Sequence, residues 1–188
     1  MKSIFLILPF TSKALEVIRN EYRDTLGAKN ILLFICSGFV SYLFGFVMAE
    51  LIGGAAGIAF AIINFAVAIA MSVVLGLITS FILHRFGKWM GGIAEEIDIE
   101  STYAHSLIPI IIALIFVIIF RAEGLEAAAY NNSWFRNGIQ YIGLFFQFKI
   151  LLQGVKKFNQ FSWWKAFCVL SPFFLFKIIL GCWFLFIN

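Results

Sequence analysis

The stretch AGIAFAIINFAVAIAMSVVLGLITSFIL, residues 56–83, decides the fold, because it contains no charged side chain. A helix that crosses a bilayer needs roughly 20 mostly apolar residues. This stretch is longer, so it predicts a spanning helix that tilts or extends past the lipid headgroups. The whole chain has the same character: 62% of its 188 residues are hydrophobic, 13% are charged, and the mean hydropathy is +0.98. Lipid is therefore the predicted solvent for most of the chain.

Other apolar runs predict four more spans. They are residues 31–51, 104–120, 139–155 and a last run that follows Trp164 to the end of the sequence. We therefore predict an all-α integral membrane protein, a five-span transmembrane helical bundle. Residues 1–30 form its cytoplasmic N-terminal segment and residues 31–188 its transmembrane domain.

The N-terminal segment contains a predicted amphipathic interfacial helix over residues 12–26. Leu15, Ile18, Tyr22 and Leu26 lie about one helical turn apart, and charged residues occupy the other faces. Two interpretations stay open, an anchor on the membrane surface and a docking site for a partner.

The basic residues outside the predicted spans are divided unevenly between the two sides. With a cytoplasmic N-terminus, the outer connections carry only Arg121 and Arg136. The inner segments carry ten, namely Lys2, Lys13, Arg19, Arg23, Lys29, Arg85, Lys88, Lys156, Lys157 and Lys165. Because cytoplasmic segments are enriched in Lys and Arg, this division predicts a cytoplasmic N-terminus and an external C-terminus.

Small and polar residues recur every three or four positions along the second span. They are Gly57, Ala61, Asn64, Ala68, Ser72, Gly76, Ser80 and His84. In lipid, small side chains let helix backbones approach closely, so this face predicts a packing seam. A conduction path along the same face is the alternative.

The sequence offers no catalytic motif, cofactor motif or metal-binding motif, so we predict that the chain is not an enzyme and that it binds no cofactor or metal. His84 and His105 flank a predicted hydrophilic loop, but two histidines without a third ligand are weak support for a metal site. Lys149 and Lys177 lie within the fourth and fifth predicted spans, where ionisable residues are costly and often functional. Lys149 can extend toward the cytoplasmic end of its span, whereas a structural and a functional role stay open for Lys177.

The hydrophilic loop, predicted over residues 85–103, combines glycines with four acidic residues: Glu95, Glu96, Asp98 and Glu100. Together with the N-terminal helix it forms the predicted contact surface for a partner. The alternative is that the acids belong only to a solvated connection.

Two runs carry a family resemblance. SFILHRFGKWMGG (residues 80–92) followed by TYAHSLIP (residues 102–109) resembles the signature of the Yip1 domain family. Together we call these two runs the signature segment. The positions that match the family pattern are His84, Gly87, Gly91, Gly92, Tyr103, His105 and Pro109.

The resemblance implies a five-span bundle with a cytoplasmic N-terminus. Eukaryotic members of this family act in traffic between endoplasmic reticulum and Golgi and contact prenylated Rab GTPases. This chain has a shorter segment before its first span and lacks the DLYGP motif, so the resemblance favours the bacterial branch and a bacterial cytoplasmic membrane.

The expected function is a non-enzymatic, multi-pass membrane scaffold or adaptor that assembles with other membrane proteins or with copies of itself. The alternatives are a small transporter or channel that uses the seam and Lys177, and an accessory subunit of a larger membrane complex. The lipid bilayer is an expected partner and nucleic acid is not, while a small-molecule substrate stays open.

Overall fold

A computed structural model of the chain describes residues 7, 11–20, 23–48, 55–122, 133–172 and 174. Its helices are α1 (Thr11–Arg19), α2 (Arg23–Met48), α3 (Ala55–Trp89), α4 (Glu96–Ser106), α5 (Ile108–Ala122), α6 (Ser133–Asn159) and α7 (163–172). The described part contains no strand, which confirms the predicted all-α class there.

Three helical stretches are long and apolar enough to cross a membrane. They are Thr25–Leu43 in α2, Ile62–Trp89 in α3, and Glu96–Ile119, which combines α4 and α5. Polar residues such as Gln140, Gln147 and Lys149 lower the hydropathy of α6. The predicted last span falls mainly on residues from 175 onward, outside the described residues, so the count of five spans stays a prediction.

The prediction of a hydrophilic loop over residues 85–103 is wrong. Helix α3 continues to Trp89 and α4 begins at Glu96, so only a short turn separates them. The acidic residues misled the prediction because they lie in and next to the first turn of α4. Negative side chains are favourable there, since the helix N-terminus carries a partial positive charge.

Helix α4 lies at the centre of the bundle. It contacts α1, α2, α3, α5 and α6, and residues 101–109 are all buried. Ile99 and Ala104 have almost no exposed surface. Part of the predicted loop thus belongs to the helix around which the other helices pack.

The predicted third span, residues 104–120, is divided at Leu107 into α4 and α5. Pro109 occupies the second position of α5, where its missing N–H removes no helical hydrogen bond of that helix. A continuous helix would need the Pro109 nitrogen to bond to the carbonyl of His105, which proline cannot do. The Leu107 N–H instead bonds to Ala104 (3.2 Å), and the chain continues into α5.

The predicted seam of the second span is confirmed from Ala68 to Gly76, where α3 packs on α2. A Cβ atom added at Gly76 would lie 2.7 Å from the Phe34 ring, and one added at Gly38 would lie 2.9 Å from the Ala68 carbonyl oxygen. The Ser72 hydroxyl donates a hydrogen bond to the Phe34 carbonyl oxygen (2.9 Å). Small residues thus let the two backbones meet.

Helix α1 ends at Arg19, so the predicted helix over residues 12–26 is divided and Leu26 belongs to α2. Tyr22 lies outside the described residues. Ala14, Leu15 and Ile18 have at most 1% of their surface exposed, and α1 packs on α4 and α6. Protein, rather than lipid, therefore covers its apolar face.

Several helix ends meet at one end of the bundle. The end of α6 touches the turn that follows α3, and Arg23 at the start of α2 forms an ion pair with Glu95 at the start of α4. Lys157 near the end of α6 bonds to Glu16 of α1 (3.1 Å). We call this the basic end, because Arg19, Arg23, Arg85, Lys88, Lys156 and Lys157 all lie on the helix termini that form it.

Candidate functional site

The three signature glycines shape the end of α3. Gly91 has a φ of +85°, a left-handed conformation that only glycine adopts without strain. The Gly92 N–H donates to the Gly87 carbonyl oxygen (2.8 Å) and the Gly91 N–H to that of Lys88 (2.9 Å). This pair of bonds is a Schellman motif, which ends the helix and directs the chain back toward α4.

Asn159, at the end of α6, fills the space that these glycines leave open. A Cβ atom at Gly92 would lie 2.0 Å from Asn159 Oδ1, and one at Gly87 would lie 3.3 Å from it. Asn159 Oδ1 accepts a hydrogen bond from the Ala94 N–H (3.3 Å), and its Nδ2 donates to the Val155 carbonyl oxygen (3.1 Å). The sequence reading missed Asn159, since nothing local distinguishes it from any polar residue at a helix end.

Three of the acidic residues at the start of α4 form bonds within the protein. Glu95 pairs with Arg23, and Asp98 Oδ2 accepts a hydrogen bond from the Glu95 N–H (3.2 Å). Asn30 Nδ2 donates to Glu100 Oε1 (3.0 Å) and to the Ser101 hydroxyl (2.9 Å). Glu95 and Glu100 thus contact Arg23 and Asn30, and these contacts fix the start of α4 against α2.

The two signature histidines occupy different surroundings. His105 is fully buried in α4, and its Nδ1 is 2.8 Å from the Ser101 carbonyl oxygen, so this nitrogen carries the hydrogen. Both ring nitrogens of His84 are buried without a hydrogen-bond partner. No group of three metal-binding side chains occurs in the part of the chain that the structure describes. The histidines are thus placed by packing on either side of the α3–α4 turn.

Tyr103 and Pro109 are also buried between helices. The Tyr103 ring lies 6.1 Å from the Phe34 ring of α2. A Cβ atom at Gly143 of α6 would lie 3.2 Å from the Pro109 carbonyl oxygen, so α5 and α6 meet closely there. Both signature residues therefore contribute to contacts between helices.

Helix α6 carries two further features that the sequence reading missed. A Cβ atom at Gly154 would lie 2.2 Å from Thr102 Cγ2, which places α6 directly against α4. Gln147 is fully buried, and neither of its amide atoms has a hydrogen-bond partner. The contact at Gly154 depends on the burial of α4, which the polar composition of α4 does not indicate.

A groove of about 750 Å³ lies between α1, the second half of α6 and the start of α7. Lys149, Lys156 and Lys157 line it, so Lys149 shares this groove with two lysines of the basic end. Leu15 and Trp163 form part of its apolar wall. Lys177, the other lysine predicted within a span, lies outside the described residues.

Comparison of the chain with protein-family models, curated proteins and solved structures finds no match. The fold and composition define the class: an all-helical protein with three stretches able to span a membrane, which indicates a membrane protein. The resemblance to Yip1 domain proteins stays a prediction.

Proposed function

We propose that the chain is a non-enzymatic, multi-pass membrane scaffold or adaptor of the Yip1 type that assembles with other membrane proteins. Five spans, a cytoplasmic N-terminus and a position of α1 at the membrane surface belong to this proposal. So does residence in a bacterial cytoplasmic membrane. The gathering of basic residues at one end of the bundle supports the orientation, because such residues favour the cytoplasmic side.

The observation that carries the proposal is the use of the signature segment in packing. Gly87 and Gly92 close around Asn159, while Tyr103 and His105 are buried in the central helix α4. These residues fix how the helices meet. A segment that serves helix packing suits a scaffold, which binds its partners through its outer surface and not through an internal site.

A small transporter or channel is the rival function, with a path along the seam of α3 and Lys177 as its selecting residue. The Phe34 ring occupies the space directly over Gly76, which counts against a path at that point, although a pocket of about 300 Å³ lies along the seam beside Ser72. Solute or ion flux into liposomes that contain the purified protein tests this rival. Flux that Lys177→Ala abolishes would refute the scaffold proposal.

The proposed contact surface for a partner is the outer face of α1 together with the α3–α4 turn. At the turn, Trp89 is 84% exposed and Ile93 is 56% exposed, and Glu96 is the exposed acid without an ion pair among those described. This surface is smaller than the acidic loop predicted from the sequence, because Asp98 and Glu100 are engaged within the protein.

A crosslinked pull-down from native membranes tests the contact surface. The triple variant Trp89→Ser, Ile93→Ser, Glu96→Gln should lose the associated proteins that the unaltered chain recovers. The control is Val74→Ala with Ile78→Ala, two exposed positions in the middle of α3. Equal recovery by both variants, at equal membrane insertion, would show that the α3–α4 turn is not a contact surface.

Cysteine labelling tests the topology in a background that lacks Cys36, Cys168 and Cys182. Single cysteines at Ser12, Ile93 and Ser162, which are exposed, should react only from the cytoplasmic side. A cysteine at position 133, at the start of α6, should react from outside. Ile93 is used because Ser101 is fully buried. External labelling at position 93 or 162 would contradict the proposed orientation.

A further inference from the structure

The groove between α1, α6 and α7 has the features of a ligand site. Lys149, Gln153, Lys156 and Lys157 recur along α6 at intervals of one, three or four residues, and Gln160 follows the end of the helix; all of them line the groove. At the helical rise of about 1.5 Å per residue, Lys149 and Lys157 start roughly 12 Å apart along the axis. Two extended lysine side chains can therefore approach a single anion between them.

The charged side chains that line the groove, among the described residues, are all positive. Three lysines line it, and no acidic residue in the described part of the chain does. Lys157 donates to the Ser12 carbonyl oxygen (3.0 Å) and to Glu16 at the edge of the groove, so this lysine also ties α1 to α6. For Lys149 and Lys156, the contacts seen are with aromatic rings. Lys149 Nζ lies 5.7 Å from the centre of the Phe146 ring, and Lys156 Nζ lies 4.0 Å from that of Trp163.

Part of the remaining wall of the groove is apolar, and the rest is polar but uncharged. Leu15 and Phe161 are buried at its base, and the Trp163 ring stands at its edge, half exposed. Trp164, next along the chain, is 79% exposed. Tryptophan side chains of this kind collect at the level of lipid headgroups. The groove therefore combines cationic groups with apolar surface at the boundary between lipid and water.

The position of Lys149 along α6 shows how far the groove extends from the end of that helix. Lys149 precedes the end of α6 at Asn159 by ten residues, or roughly 15 Å along the helix. A lysine at that depth normally extends its ammonium group toward the headgroups. Here it extends into the same groove as Lys156, so the groove reaches from the headgroup level toward the acyl chains.

We propose that this groove binds the headgroup of an anionic phospholipid from the leaflet next to the basic end. The phosphate lies between Lys149 and Lys156, which recognise it as point charges. The Gln153 amide donates to the headgroup, and the acyl chains run along the apolar wall. The inference goes beyond the proposed scaffold function but rests on one part of that proposal, in which α6 crosses the membrane.

Native mass spectrometry tests the proposal with the full-length protein in a neutral detergent. The protein is titrated with phosphatidylglycerol or with phosphatidylcholine of the same acyl chains. We expect saturable binding of one phosphatidylglycerol, at least about tenfold tighter than phosphatidylcholine. Equal binding of the two lipids would overturn the proposal, because the headgroup charge would then not be recognised.

The variant Lys149→Gln with Lys156→Gln should weaken phosphatidylglycerol binding about tenfold or more, whereas Lys149→Arg with Lys156→Arg should retain it. Lys157 is left unchanged because it also holds α1. The matched control removes the same charge outside the groove, through Arg85→Gln with Lys88→Gln, both exposed on α3. Equal loss in the control would show a general charge effect and overturn the site.

Competition with inorganic phosphate distinguishes the two ligands that could supply a phosphate group, a phospholipid headgroup and free phosphate. Phosphate up to millimolar concentration should leave the bound phosphatidylglycerol in place, because the acyl chains contribute to binding. Displacement at micromolar phosphate would show that the groove takes free phosphate, and would overturn its assignment to a lipid. Circular dichroism and size-exclusion profiles check that each variant is folded.

Discussion

Replacing Gly154 by alanine distinguishes the structure from the sequence reading, because the two predict effects of opposite sign. In the sequence reading Thr102 lies in a loop and Gly154 in a spanning helix. Alanine should then stabilise α6 by about 1 kcal/mol through helix propensity. In the structure, the added methyl group would lie 2.2 Å from Thr102 Cγ2 and 2.7 Å from Thr102 Oγ1.

The size of the effect follows from this distance. Nonbonded carbon atoms rest about 3.5–4.0 Å apart, so the methyl group would be roughly 1.5 Å too close. Overpacking of this kind costs about 1–3 kcal/mol, and the upper value applies because α4 is enclosed by other helices. After subtraction of the helix-propensity gain, we expect Gly154→Ala to destabilise the protein by about 2 kcal/mol.

Thermal unfolding in detergent, followed by circular dichroism, measures the change. For a chain of this length, about 2 kcal/mol corresponds to a Tm lower by roughly 4–8 °C. Gly138→Ala is the matched control, since it lies on the same helix with nothing within 4 Å of the added atom. Its Tm should be unchanged or slightly higher.

The substitution Thr102→Ala identifies the contact directly. It removes both atoms that the new methyl group would meet most closely, so Gly154→Ala should be tolerated in that background. The double-mutant cycle should give a coupling energy of up to about 3 kcal/mol between the two positions, because the helix-propensity gain cancels and the overpacking cost is left. A Gly154→Ala variant as stable as Gly138→Ala, or a coupling energy near zero, would refute the packing of α4 on α6.

The remaining predictions concern the ends of α3 and α6, and each is measured as a shift in Tm. Gly91→Ala should destabilise by about 1 kcal/mol through the left-handed backbone alone, because nothing lies within 4 Å of the added atom; an unchanged Tm would contradict the φ of +85°. Asn159→Ala should cost about 1–3 kcal/mol, since it leaves the buried Ala94 N–H without its acceptor; a neutral result would show that this bond is not formed. Gln160 has a φ of 56°, so Gln160→Gly should raise stability by up to about 1 kcal/mol, whereas a lower Tm would argue against the left-handed conformation of residue 160.

Some of the candidate site could be read from the sequence. The spacing of Ala68, Ser72 and Gly76 predicted a packing face, and the structure places Gly76 against Phe34. Periodicity of small residues in an apolar helix succeeds here because the helix itself decides which side chains share a face. The signature glycines were also singled out, although their partner Asn159 was not.

The polar helix α4 shows why the other contacts of the candidate site could not be predicted from the sequence. Composition names no partner for Glu95 and Glu100, but Arg23 and Asn30 of α2 bind them from about seventy positions earlier in the chain. Burial of polar groups is acceptable once they are hydrogen-bonded. No local pattern records whether such a distant partner exists.

The sequence by itself determined the class of protein and the helices of the apolar stretches, because hydropathy over some twenty residues is a local property. It also determined the uneven distribution of basic residues. Only the tertiary structure decided that α4 lies at the centre, that Asn159 closes the α3–α4 turn, and that Lys149 shares a groove with Lys156. Each of these depends on contacts between distant segments, which form only when the helices pack.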